Sequence, residues 1–215
     1  MKKLLKLSGV AIVLVLLAVI LTGCGENSEV SNTENNNVKE DVTTTKTISR
    51  GKWENNIYTN EFAEIKFNLP EDWAYSSDEE IAKLMNVGAE MLNGNEFAKI
   101  VEQTSVYDMV ANNPNTGSSV MIMFEKPLIS ASLDFYISKI KEQLEAVETI
   151  DYTISDKIEK ETLSGKEYSV VIATVPDYNM VQKYYIRQEN GCFIDILVTY
   201  INNTNDEQTI MNSFK

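Results

Sequence analysis

The stretch "KYYIRQENGCFIDILVTYI", residues 183–201, decides the fold. It holds two runs of β-branched and aromatic residues joined by Asn190-Gly191, the dipeptide most typical of a two-residue hairpin turn. The second run, like "SVVIATV" at 169–175 and "VMIMF" at 120–124, is apolar at both alternating sets of positions. A strand of that kind is covered on both faces. The sequence therefore predicts an α+β domain in which an antiparallel sheet carries helices on both faces, an α/β/α sandwich.

Two amphipathic runs of the sequence predict helices. Residues 76–92 carry Ser77 and Glu80 at the spacing of a capping box, followed by an apolar stripe. Residues 132–147 begin with Ser132 as a helix cap and repeat apolar side chains on one face. Shorter helices are predicted at 96–103 and 205–215, and strands at 65–69, 105–113, 118–126, 156–163, 166–175 and 181–201.

This order of elements resembles the PsbP/Mog1-like α/β/α sandwich, and the chain is similar to Gram-positive lipoproteins of that shape. The residues that carry the resemblance are Tyr58-Thr59-Asn60 before Phe62, the run 65–70 with Trp73, Tyr107-Asp108-Met109, the turn 163–166 and the run 182–185. The resemblance covers about residues 50–215. It implies a protein that binds other proteins rather than a catalyst, and it supplies no catalytic residue.

The N-terminus has the layout of a secretion signal. Lys2, Lys3 and Lys6 precede an apolar run at 10–21, which is short for a membrane span of about 20 residues. The run ends in Leu21-Thr22-Gly23-Cys24, which resembles the lipobox of bacterial lipoproteins. A plain transmembrane anchor with a chance cysteine is the alternative.

The lipobox resemblance implies that diacylglycerol is attached to the thiol of Cys24 and that the chain is cleaved before this residue. Two acyl chains give stable anchoring in a lipid bilayer. Residues 1–23 are then a lipoprotein signal peptide, and 24–50 are the lipidated cysteine and a polar, disordered tether. Residues 51–215 form a single α/β domain, predicted to lie at the outer face of the cell membrane.

Composition excludes several kinds of protein. The net charge is −13, and an acidic surface repels nucleic-acid phosphates, so no nucleic-acid partner is expected. Histidine is absent, which removes the commonest general base and metal ligand. The two cysteines, Cys24 and Cys192, are far apart, so Cys192 is expected to be a free thiol once Cys24 is lipidated. No catalytic residue, metal or cofactor is predicted.

Two clusters of possible metal ligands have more ordinary explanations. The acidic residues 71–72 and 78–80 lack the ligand spacing of a calcium loop, and acids are expected in a helix's first turn. Met121 and Met123 point the same way on one strand and could bind copper(I), but methionine is a common core residue. We therefore expect both clusters to be structural.

Four residues of the hairpin are the candidate binding residues. Tyr184, Tyr185 and Arg187 could present an aromatic strip to a partner, or one tyrosine could pack inward while the other covers the sheet. Asp195 lies in mid-strand between apolar residues, where a charge is costly. The turn sets Ile186 opposite Asp195, and we expect the acid to be satisfied by the Tyr184 hydroxyl, the Gln188 amide or a covering helix.

These patterns favour a membrane-anchored extracytoplasmic lipoprotein that acts as a non-catalytic binding or accessory module for an unknown protein partner. One alternative is a small solute-binding receptor that serves a transporter, although such receptors usually have two lobes. A hydrolase is the other, disfavoured by the missing histidine. A deep pocket with converging polar groups would favour the receptor, and a shallow apolar surface would favour a protein partner.

Overall fold

The computed structural model describes residues 48–84, 105–127, 130–147, 149–202 and 204–215. The strands are β1 (Lys52–Glu54), β2 (Ile57–Asn60), β3 (Ile65–Asn68), β4 (Ala74–Tyr75), β5 (Ser105–Asn112), β6 (Ser119–Glu125), β7 (Thr153–Ile154), β8 (Glu159–Leu163), β9 (Lys166–Val175), β10 (Met180–Glu189) and β11 (Cys192–Ile201). The helices are α1, described over 78–84, α2 (Leu133–Glu145) and α3 (Asp206–Ser213).

The strands form a large antiparallel sheet in the order β4-β5-β6-β11-β10-β9-β7, with β8 also paired to β9. Its centre is the predicted hairpin: Glu189 lies opposite Cys192 and Ile186 opposite Asp195. Asn190 and Gly191 both have positive φ angles, 51° and 76°, as a type I′ turn requires. The hairpin and its register are therefore confirmed.

The two faces of this sheet carry separate cores, because adjacent residues of a strand point to opposite sides. Met121 and Met123 of β6 pack with α1 and α2 on one side, while Val120, Ile122 and Phe124 pack on the other. The α2 face is closed by buried residues of the helices, which are Ile81, Tyr136, Ile137, Ile140 and Leu144.

The opposite face is covered by α3 together with a small sheet, of which the sequence predicted only the strand at 65–69. Strands β1, β2 and β3 pair antiparallel in that order. Tyr58 and Phe67 of this sheet share one core with Ile210 of α3, and Phe214 packs against Phe67 with ring centroids 5.0 Å apart. The predicted fold class is confirmed, with helices on both faces, but a second sheet completes one layer.

The predicted helix starts are also confirmed. Ser77 and Glu80 exchange hydrogen bonds at the start of α1, and the Ser132 hydroxyl accepts the N–H of Phe135 at the start of α2. The end of the first predicted helix and the one at 96–103 lie outside the described residues. Within the described ranges, no helix is both long and apolar enough to cross a membrane.

Candidate functional site

The predicted aromatic strip on β10 is not an exposed surface. Tyr184 and Tyr185 point to opposite faces of the large sheet, one into each core, and both are buried. Arg187 lies on the face of Tyr185 and is also buried. Their proximity in sequence therefore does not bring the three side chains together, since neighbours on a strand alternate in direction.

Each tyrosine of β10 instead has a polar partner inside the protein. The Tyr184 hydroxyl donates to Gln182 Oε1 at 2.7 Å. The Tyr185 hydroxyl donates to Glu161 Oε2 at 2.7 Å, and Glu161 also pairs with Lys183 at 3.0 Å. Burial raises the pKa of both tyrosines, so they stay neutral hydrogen-bond donors.

Arg187 ties two layers of the domain together. Its guanidinium donates to the backbone carbonyl of Ala63, in the loop before β3, and forms an ion pair with Glu189. It also lies 5.4 Å from the centre of the Tyr168 ring. These contacts join the small sheet to the large one, which is a structural task for a buried arginine.

Asp195 lies on the α2 face and is 3% exposed. Its Oδ2 accepts a hydrogen bond of 2.6 Å from the hydroxyl of Tyr136, which α2 places over the middle of β11. The Tyr136 ring stacks on Phe193 with centroids 3.8 Å apart. The prediction that Asp195 is bonded to a covering helix is therefore confirmed for Oδ2, whereas the buried Oδ1 has no hydrogen-bond partner among the described residues, and Tyr184 and Gln188 are not partners of Asp195.

A second acid, Glu125, lies close to this pair. The register sets Phe193 opposite Glu125 and Asp195 opposite Met123, so the two acids are diagonal neighbours on one face. Burial raises the pKa of Asp195 from 3.8 to about 7, opposed by the hydrogen bond from Tyr136. Burial, then the charges of the two acids, raises the pKa of Tyr136.

Tyr136, Glu125 and Asp195 are closed off from solvent beneath α2. Tyr136 and Glu125 are 1% and 4% exposed. The buried carboxyl of Asp195 accepts a hydrogen bond from Tyr136, and this bond fixes α2 over the sheet. The arrangement is therefore a polar clamp between α2 and the sheet.

Asp108 makes a comparable clamp on the other face. It lies at a bulge of β5, and its carboxylate accepts the backbone N–H of Gly51 at 3.0 Å and the Asn60 amide at 2.7 Å. The Tyr58 hydroxyl donates to the same carboxylate, and Arg50 Nε lies 3.5 Å away. The entering segment, residues 50–51 at the start of the domain, is thereby bound to the large sheet.

Asp108 was missed as a special residue although the sequence carries the same signal as for Asp195. Both are acids in the middle of an apolar strand, where an unpaired charge is costly. Tyr58, Asn60 and Asp108 are also among the residues that carry the family resemblance. The structure brings these three into one hydrogen-bonded group.

Residues 78–80 of the acidic cluster and both methionines make contacts within the domain. Asp78 pairs with Arg50 at 3.0 Å, Glu79 pairs with Lys83 at 2.9 Å, and Glu80 caps α1. Met121 and Met123 are each 1% exposed within the α2 core. In the part of the chain that the structure describes, no three His, Cys, Asp or Glu residues are grouped as metal ligands.

A groove of about 400 Å³ runs between α2 and the outer strands β8 and β9. Leu133, Ile137 and Ile158 give it an apolar floor, and all three belong to or pack against the α2 core. The remaining lining residues are polar: Asp134, Ser138, Lys141, Lys160 and Ser169. An apolar centre with a charged rim is the usual anatomy of a protein-binding surface.

Both lysines of the groove donate hydrogen bonds to uncharged acceptors, and Lys160 also lies 3.5 Å from Glu167. Lys141 Nζ donates to the backbone carbonyls of Ser155 and Asp156 at 2.8 and 3.2 Å. Lys160 Nζ donates to the Ser169 hydroxyl at 3.0 Å. Sequence reasoning missed this pair, because α2 and β8 meet only in the folded domain.

Of the two cysteines, the structure describes only Cys192. Cys192 is 4% exposed and is a free thiol, and burial raises its pKa. A buried neutral thiol is unreactive. Cys24 lies outside the described residues, so lipidation there stays a prediction from sequence.

Comparison with known proteins gives structural neighbours but no sequence relative. The chain is similar to the solution structure of cyanobacterial PsbP (CyanoP) from Synechocystis sp. PCC 6803, at 10% identity and a TM-score of 0.45, over 83% of this chain and 97% of that one. No protein family model matches the sequence, and no curated protein matches it. An identity of 10% does not say what this chain binds.

Proposed function

We propose that the protein is a non-catalytic binding module, tethered by a lipid on Cys24 to the outer face of the cytoplasmic membrane, and that its partner is a protein. The groove between α2 and β8 carries the binding part of this proposal. It is open to solvent, since Lys160 is 56% exposed, and its floor is apolar. The membrane part rests on the sequence at 21–24.

The buried ionisable groups support the same proposal through their roles. Asp108 binds the entering segment, Arg187 joins the two sheets and Asp195 holds α2. Each has partners that fix one structural element against another. Side chains so engaged are suited to a rigid scaffold that presents a surface, rather than to proton transfer in a reaction.

Site-specific photo-crosslinking in intact cells tests the proposal. A photoreactive amino acid replaces Ser138, which lines the groove, or Glu142, which lies on the same helix outside it. If a protein binds in the groove, the probe at Ser138 should give a discrete crosslinked product in the membrane fraction. The probe at Glu142 should give much less of the same product.

Addition of Lys141→Gln to the Ser138 probe provides the second comparison. The yield should fall, because the groove loses a charge while α2 stays clamped through Tyr136. Equal crosslinking from both probe positions, or from neither, would argue against a protein partner at this groove. A small solute taken up by a receptor would leave the probe at Ser138 without any protein adduct.

A further inference from the structure

Lys141 and Lys160 place two ammonium groups in the groove, which one acid, Asp134, also lines, in a chain whose net charge is −13. The amine of Lys141 is bound by two backbone carbonyls and has no carboxylate partner among the described residues. Lys160 lies 3.5 Å from Glu167, but their side chains are 56% and 69% exposed, so this pair is weak. Both ammonium groups are therefore available to an acidic partner.

The sheet register gives the spacing of these two charges along the groove. Lys160 lies opposite Ser169 of β9. Lys141 is bound to Ser155, whose backbone N–H donates to the carbonyl of Ile172, three positions further along the same strand. Three residues of a strand span roughly 10 Å. The acceptors that hold the two ammonium groups, Ser155 and Ser169, are thus offset by about that distance along β9, beside the apolar residues of the groove.

An α-helix matches this spacing and an extended strand does not. Residues i and i+7 of a helix lie on the same face about 10.5 Å apart, and residues i+3 and i+4 lie between them. In a strand, residues about 10 Å apart are three positions apart, and their side chains point to opposite sides. One face of a helix can therefore meet both lysines and the floor together.

We propose that the groove binds one face of a partner helix that carries two acidic residues at i and i+7 and aliphatic residues at i+3 and i+4. The acidic residues meet Lys141 and Lys160, and the aliphatic ones pack on Leu133, Ile137 and Ile158. This follows the helix-in-groove mode of recognition. The inference rests on the proposed function and names the chemistry of the partner. The negative charge of Asp134, which also lines the groove, repels the acidic residues of such a helix and weakens binding slightly.

Binding of designed helical peptides tests this inference. The full lipidated chain is inserted into neutral phosphatidylcholine vesicles, and stapled peptides with Glu at i and i+7 and Leu at i+3 and i+4 are titrated by fluorescence anisotropy. The acidic peptide should bind at least about tenfold more tightly than a peptide with Lys at i and i+7. Moving the second Glu to i+5 should also weaken binding.

Protein variants then locate the site. The double variant Lys141→Gln/Lys160→Gln should weaken binding about tenfold, while Lys139→Gln, on the other side of α2, should change it less than twofold. Asp134→Asn should strengthen it. Unchanged urea unfolding verifies that each variant is folded.

Equal affinity for acidic and basic peptides, no binding of the acidic peptide at millimolar concentration, or an equal loss with Lys139→Gln would overturn the inference. If the groove probe at Ser138 still crosslinks a protein in cells, only the chemistry of the partner is wrong. If that crosslink is absent too, the proposed function fails with it.

Discussion

The hydroxyl group of Tyr136 on α2 donates a hydrogen bond of 2.6 Å to Asp195 in the middle of β11. The contact joins the helix that forms one wall of the groove to the central strand of the sheet. Since Tyr136 is also stacked on Phe193, its ring and its hydroxyl are both fixed. The position of the groove wall therefore depends on this pair.

Loss of the acceptor should destabilise the domain. At pH 5, where the buried carboxyl is neutral, Asp195→Ala leaves the Tyr136 hydroxyl without a partner and should lower the free energy of unfolding by about 1–3 kcal/mol. Asp151→Ala, at an exposed loop residue, should cost about 0.5 kcal/mol or less. Urea unfolding measures both. Similar small effects would show that the clamp contributes nothing to stability.

The same carboxyl should make stability depend on pH. Its pKa is about 7 in the folded protein against 3.8 ordinarily, so between these values the folded state binds more protons than the unfolded state. Stability from Asp195 is therefore complete below about pH 4 and is lost as the pH rises to about 7. Asp195→Asn keeps an acceptor for Tyr136 and removes the titration.

Relative to the wild type, the Asp195→Asn variant should gain stability as the pH is raised, by up to about 4 kcal/mol over that window. Thermal or urea unfolding of the two proteins at pH 4, 5, 6, 7 and 8 gives the difference. Groups that do not interact with Asp195 cancel in this difference. A constant difference across the series would mean that Asp195 does not titrate in this window.

Local sequence signals predicted the hairpin and the helix starts, because a turn or a cap is made by residues that are close in sequence. Asn190-Gly191 fixes the register of β10 and β11 by itself. The partner of Asp195 was left open among three choices, since Tyr136 lies 59 positions away. Which side chain bonds to Asp195 depends on the face of the sheet on which α2 packs.

The remaining differences have particular physical causes. Sequence leaves open whether Tyr184 and Tyr185 form an exposed strip or pack separately, and the period of two along the strand sends one into each core. Strand β1 has one apolar residue, Trp53, and the buried positions of β2 are Tyr58 and the polar Asn60, so neither shows an apolar alternation like that of β3. The groove depends on Lys141 and Lys160, which only the packing of α2 beside β8 brings to one surface.

Asp108 should be the residue that holds the entering segment. Asp108→Ala removes the acceptor for Gly51, Tyr58 and Asn60, and we expect a loss of about 3 kcal/mol or more in urea unfolding. Limited proteolysis under native conditions should then cut near residue 51 in the variant before the rest of the domain. If cleavage there is as slow as in the wild type, the segment is held by other contacts.

Cys192 should be the one free thiol of the mature protein, because a lipid thioether at Cys24 does not react with thiol reagents. Denatured protein should give one thiol per chain, and native protein should react much more slowly, as burial raises the pKa of Cys192. Two thiols would contradict lipidation of Cys24. Rapid reaction of the native protein would contradict the burial of Cys192.

The central claim is that the domain acts while held at the membrane by a lipid on Cys24, and the intact mass of the protein extracted from membranes tests it most directly. We predict a chain that begins at Cys24 and carries a diacylglyceryl group, and a Cys24→Ala variant that remains the full-length, unlipidated precursor. A wild-type mass equal to the unmodified precursor, or a mature chain that begins elsewhere without lipid, would contradict the account.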